Sequence, residues 1–508
     1  MRNASNRHRR WRLAGLLCLW ASSTAPAGEQ TQWGQRFNRN MVSGEKDLPE
    51  SFDPATGRNV KWVVPMGTET YISPMVAGGR VLIGTNNGQA RDPRHRGDRG
   101  VLMCLDAADG SLLWQLVIPK VQGDPYKDWP GGGITSPPTV EDGRCYLATN
   151  RGAIVCLDLA GQANGNDGPF LDEGRLMAPE GAPPLKLTDR DADVIWRFDT
   201  HAEAGSYPHD AAFTSILLHG PYLYLNTSNG VDNTHRKIRN PDAPGLIVLD
   251  KATGRLLARD REGMSPRTFH CTWSPPALGE VGGRTLIFFG GGDGVLYGFE
   301  ALKPDAVPPG TVATLKKVWS FDCDPNAPKE DVHRYVRNRR ESPSNIMGMS
   351  VFHEGRVYVA AGGDMWWGKR QSWLKCVDAT KTGDITRTGG VWSAELVSHC
   401  SSTPAIKDGL VYIADCGGVV HCLDLATGRE HWTHKAAGPV WSSPLVADGK
   451  VYIGSRGGDF LIFAAGREKK LLASIRLDGP ISAPPTIVDG VLYLTTMKKL
   501  YAVQKAAE

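Results

Sequence analysis

Side chains suited to chemistry gather in a few short stretches of this 508-residue chain. His209 and Asp210 stand together, and Asn229 and Asp232 follow about twenty residues later. His270-Cys271 and His399-Cys400 occupy matching places, four to five residues before Pro275 and Pro404. Asp364, Trp366, Trp367 and Arg370 share one loop, and Trp129, Trp273 and Trp441 precede strand-like runs. Such a set offers aromatic planes for stacking, a guanidinium for a carboxylate and oxygen donors for a cation. No stretch has a diagnostic spacing by itself. There is no Gly-Lys-Ser/Thr phosphate loop, no G-x-S-x-G elbow, no paired C-x-x-C and no C-x-x-C-H. Asn164 to Gly168 looks like a Ca²⁺ loop, but Ala163 and Gly165 fall where an EF-hand needs carboxylates, so it reads as a turn-rich insertion. Any site must be assembled by the fold from distant parts.

The fold that could assemble it is written as a repeat. A hairpin phrase recurs eight times: a short Ser/Thr/Pro-containing strand, a two-residue turn, and a Val/Leu/Tyr/Ile strand ending in small residues. Its turns are expected at Gly78-Gly79, Asp142-Gly143, His219-Gly220, Gly282-Gly283, Glu354-Gly355, Asp408-Gly409, Asp448-Gly449 and Asp489-Gly490. Asp-Gly between alternating apolar runs favours a tight turn with positive φ at both central residues. A second phrase follows most hairpins, as in CLDAADGSLLW at 104–114 and CLDLATGREHW at 422–432. It adds a strand ending in Leu-Asp, a Thr-Gly-type turn and a strand that begins at Trp. Four strands per repeat of about 40 residues make one propeller blade. Trp62, Trp114, Trp196, Trp319, Trp392 and Trp432 are expected to wedge between blades; the third and seventh repeats have no Trp there.

The ends of the chain point to ring closure. The last repeat stops at Leu500 to Val503 without its outer strand, and the missing phrase, Asp53 to Trp62, stands near the N-terminus. The chain therefore reads as all-β, an eight-bladed propeller over 53–508 closed by its N-terminal strand, with 28–52 as a lead-in; deleting 28–45 is expected to matter much less than deleting 53–64. Closure removes two exposed sheet edges.

The A-x-D-x-x-T-G-x-x-x-W phrase on an eightfold repeat resembles the pyrroloquinoline quinone (PQQ) repeat proteins over roughly residues 53–503. That superfamily includes quinoprotein alcohol dehydrogenases and BamB-type outer-membrane assembly scaffolds. The resemblance implies the fold and leaves two functions open. One is a scaffold that binds a small molecule or a protein without catalysis. The other is a dehydrogenase of alcohols or sugars that uses PQQ and Ca²⁺. The dehydrogenases typically carry two adjacent cysteines that stack on the quinone, and this chain has no Cys-Cys pair.

Residues 1–27 read as a secretory signal peptide: five arginines, a short apolar run from Leu13 to Ala21, and small residues at Ala25 and Ala27 before Gly28. Cys18 lies inside the apolar run, which argues against lipidation. The chain is thus expected to be exported, periplasmic or secreted, with no transmembrane segment in its mature form. Without 1–27 it carries 53 basic and 54 acidic side chains, which removes the electrostatic case for nucleic acid. A closed ring of this kind is expected to be monomeric. Cys104, Cys156, Cys376 and Cys422 share one repeat position and read as small buried side chains. Cys400 and Cys416 flank one hairpin, but its two-residue turn sets residue 401 opposite 416, against a disulfide.

Insertion lengths locate the expected site. Counting strands from the inside out, the loops between second and third strands are long at 86–100, 228–245 and 362–373. Connections between blades are long at 119–133, 200–212, 260–270 and 322–346. Both kinds emerge on one face of a propeller. Only 160–193 and 300–316 fall on the other. Long loops on a rigid scaffold are where binding tends to reside. His209, Asp210, Asn229, His270, Asp364, Trp366, Trp367, Arg370, His399 and Trp441 are the residues expected to line that mouth.

Overall fold

The apolar runs pair as eight antiparallel sheets. The computed structural model describes residues 28–506, so the expected signal peptide lies outside the described residues. The first blade runs from Met75–Ala77 to Leu112–Pro119, the second from Thr139–Glu141 to Asp193–Phe198, and the third from Leu217–His219 to Leu256–Arg259. The fourth spans Ala277–Val281 to Lys317–Asp322, the fifth Val351–His353 to Gly390–Leu396, the sixth Ala405–Lys407 to Glu430–Lys435, and the seventh Leu445–Ala447 to Leu471–Arg476. Three strands from Thr486–Val488 to Lys499–Gln504 begin the eighth. Val60–Pro65 completes it, with Trp62 opposite Ala502 and Val64 opposite Leu500. The third and fourth blades each gain a short parallel fifth strand, Ala313–Thr314 and Gly383–Asp384.

The turns follow the sequence with one correction. Asp142, Glu354, Asp408, Asp448 and Asp489, each with its following glycine, have positive φ, as the primed turn demands. In the third blade His219 instead pairs with Tyr222, so the turn is Gly220-Pro221. Only Gly220 has positive φ there, because the Pro221 ring cannot adopt it.

The recurring Asp-x-x-Thr-Gly-x-x-x-Trp phrase is a docking device. The Asp424 carboxylate accepts from the Ala426 and Thr427 amides and the Thr427 hydroxyl; Asp250 does the same with Ala252 and Thr253. The glycine that follows has positive φ and lies beneath the preceding blade's tryptophan. A Cβ on Gly254 would meet the Trp196 ring at 2.4 Å, and one on Gly428 the Trp392 ring at 2.5 Å. Each indole N–H then donates to a carbonyl of the next blade: Trp62 to Ala107, Trp114 to Leu159, Trp196 to Lys251, Trp392 to Leu425 and Trp432 to Gly466. Trp319 is fully buried without such a partner, because the turn it would reach is lengthened by the 379–389 segment.

The lead-in is much more than a tether. It runs along the inner strands at the hairpin-turn end of the channel and bonds to every blade. Gln30 bridges Val76, and Thr31 accepts from Val140. Arg39 reaches Ser215 and Pro276, Phe37 accepts from Leu278, and Asn38 accepts from Phe352. Asn40 pairs with Ile406, Met41 and Ser43 with Val446, and Glu45 accepts from Asp489 and Gly490. Arg39 is fully buried, donating to Trp33, Pro276 and Ser215. Burial without a carboxylate draws its pKa down to about 9, so it remains charged at neutral pH. These contacts weigh against the expectation that deleting 28–45 matters little.

Candidate functional site at the loop-rich mouth

At the opposite end of the channel the long insertions knit into one canopy. The Trp129 amide donates to Asp210, and the Asp210 amide to Tyr126. Arg239 pairs with Asp124 at 2.8 Å, His333 contacts the Thr268 carbonyl at 3.0 Å, and the Arg337 amide donates to Trp367. Loops from six separate segments thus meet over the channel.

At the centre lie three imidazoles. His209, His235 and His270 are all buried, and their ligand-capable nitrogens lie within 4.8 Å of one another. His209 Nε2 and His235 Nε2 are 3.1 Å apart. Asp210 stands against both neighbours, its Oδ1 3.6 Å from His209 Nε2 and its Oδ2 3.7 Å from His270 Nε2. Two of the imidazoles are fixed from behind: His209 Nδ1 by the Val231 carbonyl at 2.8 Å and His270 Nδ1 by Asp364 at 3.0 Å. Asp364 also accepts from Asn345 and from the Trp366 and Trp367 amides. His235 and Asp210 both hold positive φ.

Burial and charge divide the roles of these groups. Burial, reinforced by His270 and His235, lowers the His209 pKa to about 2, so its ring is neutral. Burial also lowers that of His235. At His270 burial opposes the charge, yet the attraction and hydrogen bond of Asp364, with Asp210, outweigh it and the pKa rises. For Asp364, burial is likewise outweighed, by His270 and the two backbone amides, and its pKa falls. Burial raises that of Asp210.

Tryptophans surround this centre. Trp273, Trp366 and Trp441 form a chain of edge-to-face contacts with centroids 5.6 and 6.1 Å apart. Trp366 and Trp367 lie 5.3 and 4.5 Å from His270 and His235. Tyr126 stacks on His209, and Trp129 beside it is 45% exposed. The Arg456 guanidinium lies 3.9 Å over the Trp441 ring.

Of the residues expected from sequence, His209, Asp210, His270, Asp364, Trp366 and Trp367 meet at the centre, and Trp441 extends the aromatic chain. Asn229 lies behind it, bonded to Ser265 and Tyr207. His399 is buried beside the Asp364–Lys369 turn. Arg370 is exposed at the end of its loop. His235, Tyr126 and Asn345 were missed; each is an isolated residue of a long insertion, and only its place on the same face signals it. The Cys400 hairpin keeps the expected register, with Ser401 Oγ 4.0 Å from Cys416 Sγ. A separate open groove of about 640 Å³ lies under the 86–98 loop, lined by Thr68, Asn86, His95 and Asp98.

The donor set does not suit Ca²⁺. That ion takes six to eight oxygens, whereas the centre presents three imidazole nitrogens and Asp210. No adjacent cysteine pair offers a stacking face either. The PQQ and Ca²⁺ expected from the dehydrogenase side of the resemblance therefore find no matching residues here.

Comparison with known proteins agrees with the fold. The crystal structure of BamB from Moraxella catarrhalis superposes with a TM-score of 0.50 at 14% identity, covering 87% of this chain and 96% of that one. The computationally designed Ika8 protein gives 0.49 at 12% identity, covering 87% and 99%. No curated protein sequence matches the chain. No helix among the described residues is long and apolar enough to cross a membrane. The profile of the outer membrane protein assembly factor BamB matches residues 20–260 and 370–471, and the chain belongs to this PQQ-repeat, BamB-like propeller family.

Proposed function

We propose that this chain is an exported scaffold that holds a protein partner at its loop-rich mouth, the partner contributing aromatic and carboxylate side chains. The observation that carries this reading is the Trp273–Trp366–Trp441 chain, rimmed by Arg456 and by Arg337 over Trp367. Aromatic side chains and arginine are the residue types that dominate binding at protein interfaces. Kinship with an assembly factor supports a protein partner, and the arginine-rich leader with its small-residue cleavage site supports export. A photoreactive amino acid placed at Trp441 is expected to form a discrete covalent adduct with the partner in the native host. The same group at Lys303, on the opposite face, is expected to form none. Equal labelling at both positions, or none at Trp441, overturns the reading. A saturable absorbance change with PQQ and Ca²⁺ would favour the dehydrogenase instead.

A further inference from the structure

The centre of the mouth holds atoms that ordinary protein hydrogen bonding leaves unsatisfied. His270 Nε2 and Asp210 Oδ1 are buried and have no hydrogen-bond partner. His209 Nδ1 is committed to the Val231 carbonyl as donor, which leaves a lone pair on Nε2. That lone pair points at His235 Nε2, 3.1 Å away. Two carboxylates, Asp210 and Asp364, lie in the same volume, and among the described residues their side-chain ion pairs are with these histidines. Buried donors and acceptors left unpaired cost about 1–3 kcal/mol each, so His270 Nε2 and Asp210 Oδ1 call for a partner within this centre.

We propose that His209 Nε2, His235 Nε2, His270 Nε2 and an Asp210 carboxylate oxygen bind one divalent first-row transition-metal ion, with Zn²⁺ the best match. Ligands about 2.0–2.1 Å from a tetrahedral Zn²⁺ are separated by about 3.3 Å. The 3.1 Å between His209 and His235 is close to that spacing, Asp210 reaches His209 through Oδ1 at 3.6 Å and His270 through Oδ2 at 3.7 Å, and the three nitrogens lie within 4.8 Å of one another, so a bound ion would draw the groups inward. His209 and His270 already have the outer partners that metal-bound histidines use to fix tautomer and ring orientation, the Val231 carbonyl and Asp364. A dication also balances the two carboxylates. Nitrogen-rich donors select Zn²⁺ and its neighbours over Ca²⁺ or Mg²⁺.

Two other clusters of ligand-type residues show the contrast. Asp92, His95 and Asp191 converge similarly, but Arg94 bridges both carboxylates and supplies the positive charge itself. Asp158, Asp167 and Asp193 form an acidic group on the opposite face, with Arg144 paired to Asp158.

The test uses the mature chain, stripped with chelator and titrated with Zn²⁺ against a chromophoric competitor, then with Co²⁺ followed by its visible absorption. One equivalent of Zn²⁺ is expected per chain, with a raised melting temperature, and Co²⁺ should give the intense bands of a tetrahedral site. His270→Gln and His235→Gln should each abolish the stoichiometric binding. Asp364→Asn should weaken it about 10–100-fold while leaving the ligands in place. Because His235 lies on an outer loop, its variant remains informative even if His270→Gln misfolds. Absence of stoichiometric binding, binding retained in both histidine variants, or displacement of Zn²⁺ by an equal concentration of Ca²⁺ overturns the proposal. Trp441→Ala leaves all four ligands intact, so loss of partner binding in that variant with Zn²⁺ retained separates this site from the partner-binding reading.

Discussion

Cys104 faces Trp114 directly across the third and fourth strands of the first blade, and the same pairing recurs around the ring. Cys156 faces Trp196, Cys376 faces Trp392 and Cys422 faces Trp432. Where the wedge is Trp319 or Trp62, the opposite residue is Gly298 or Ala502. In the two blades without a tryptophan the sizes invert: Val248 faces Ala258, and Ile462 faces Ala473. Each blade thus spends one large side chain on this pair and keeps the other small. A Cβ on Gly298 would already approach Trp319 to 2.4 Å.

Volume complementarity of this kind is testable. Cys422→Leu should overfill the space under Trp432 and destabilise the chain by about 1–3 kcal/mol. Trp114→Ala should cost about 3–5 kcal/mol through the cavity it leaves. In the third blade, Ala258→Trp alone should destabilise, and Val248→Cys should recover part of that loss. Urea denaturation measures these variants and the Ala258→Trp/Val248→Cys double. Purely additive effects of Ala258→Trp and Val248→Cys would show that the two positions do not share one space.

The repeat made much of this readable. Asp-Gly turns, Leu-Asp strand ends and the Trp phrase fix strand order, register and closure, because each is a local device repeated until its period is unmistakable. The lead-in was unreadable for the opposite reason. Residues 28–48 have no periodicity, and their partners, such as Ser215, Ile406 and Asp489, are separated by hundreds of residues and joined only by the finished ring. The site was half legible. His209, Asp210 and His270 stand at blade entrances, and Asp364 shares a long loop with two tryptophans, whereas His235 sits inside a loop with no repeat counterpart.

The lead-in carries its own prediction. Deleting 28–48 should destabilise the propeller about as severely as deleting 53–64, which removes the closing strand. Arg39→Ala alone should cost at least about 2 kcal/mol, since it strands buried carbonyls of Trp33, Pro276 and Ser215. Thermal melts of the deletions and the point variant check this. A 28–48 deletion that melts with the mature chain would show the segment to be dispensable.

Acid should loosen the fold before its carboxylates titrate. His95, His219 and His333 have pKa values lowered by burial, so each is neutral in the folded chain. In the unfolded chain each takes up a proton near pH 6.5. The unfolded state therefore binds more protons below that pH, and stability, complete above it, falls as the pH drops toward 5. Melting temperatures should decline between pH 7 and pH 5. His219→Gln should flatten that decline, because His219 packs against Phe37 at 6.0 Å without a hydrogen bond that the change would remove. An identical slope in the variant would assign the acid sensitivity elsewhere.

The two faces of the ring should respond differently to substitution. Asp210→Ala removes a carboxylate that touches His209 and His270, and Arg456→Ala removes the cation over Trp441. Both residues are partly exposed at the mouth and away from the blade cores, so the fold should tolerate each change within about 0.5–1 kcal/mol. Crosslinking from position 441 should nevertheless fall sharply in Arg456→Ala, because the guanidinium beside that position would meet the partner's carboxylate. Arg370→Ala tests the outer end of the 362–373 loop, where the guanidinium is exposed. Asp167→Ala and Lys303→Ala, both exposed on the opposite face, should leave crosslinking and melting unchanged. A loss of crosslinking in those two variants equal to that in Arg456→Ala would move the binding surface to the insertion-poor end of the ring, beside the lead-in.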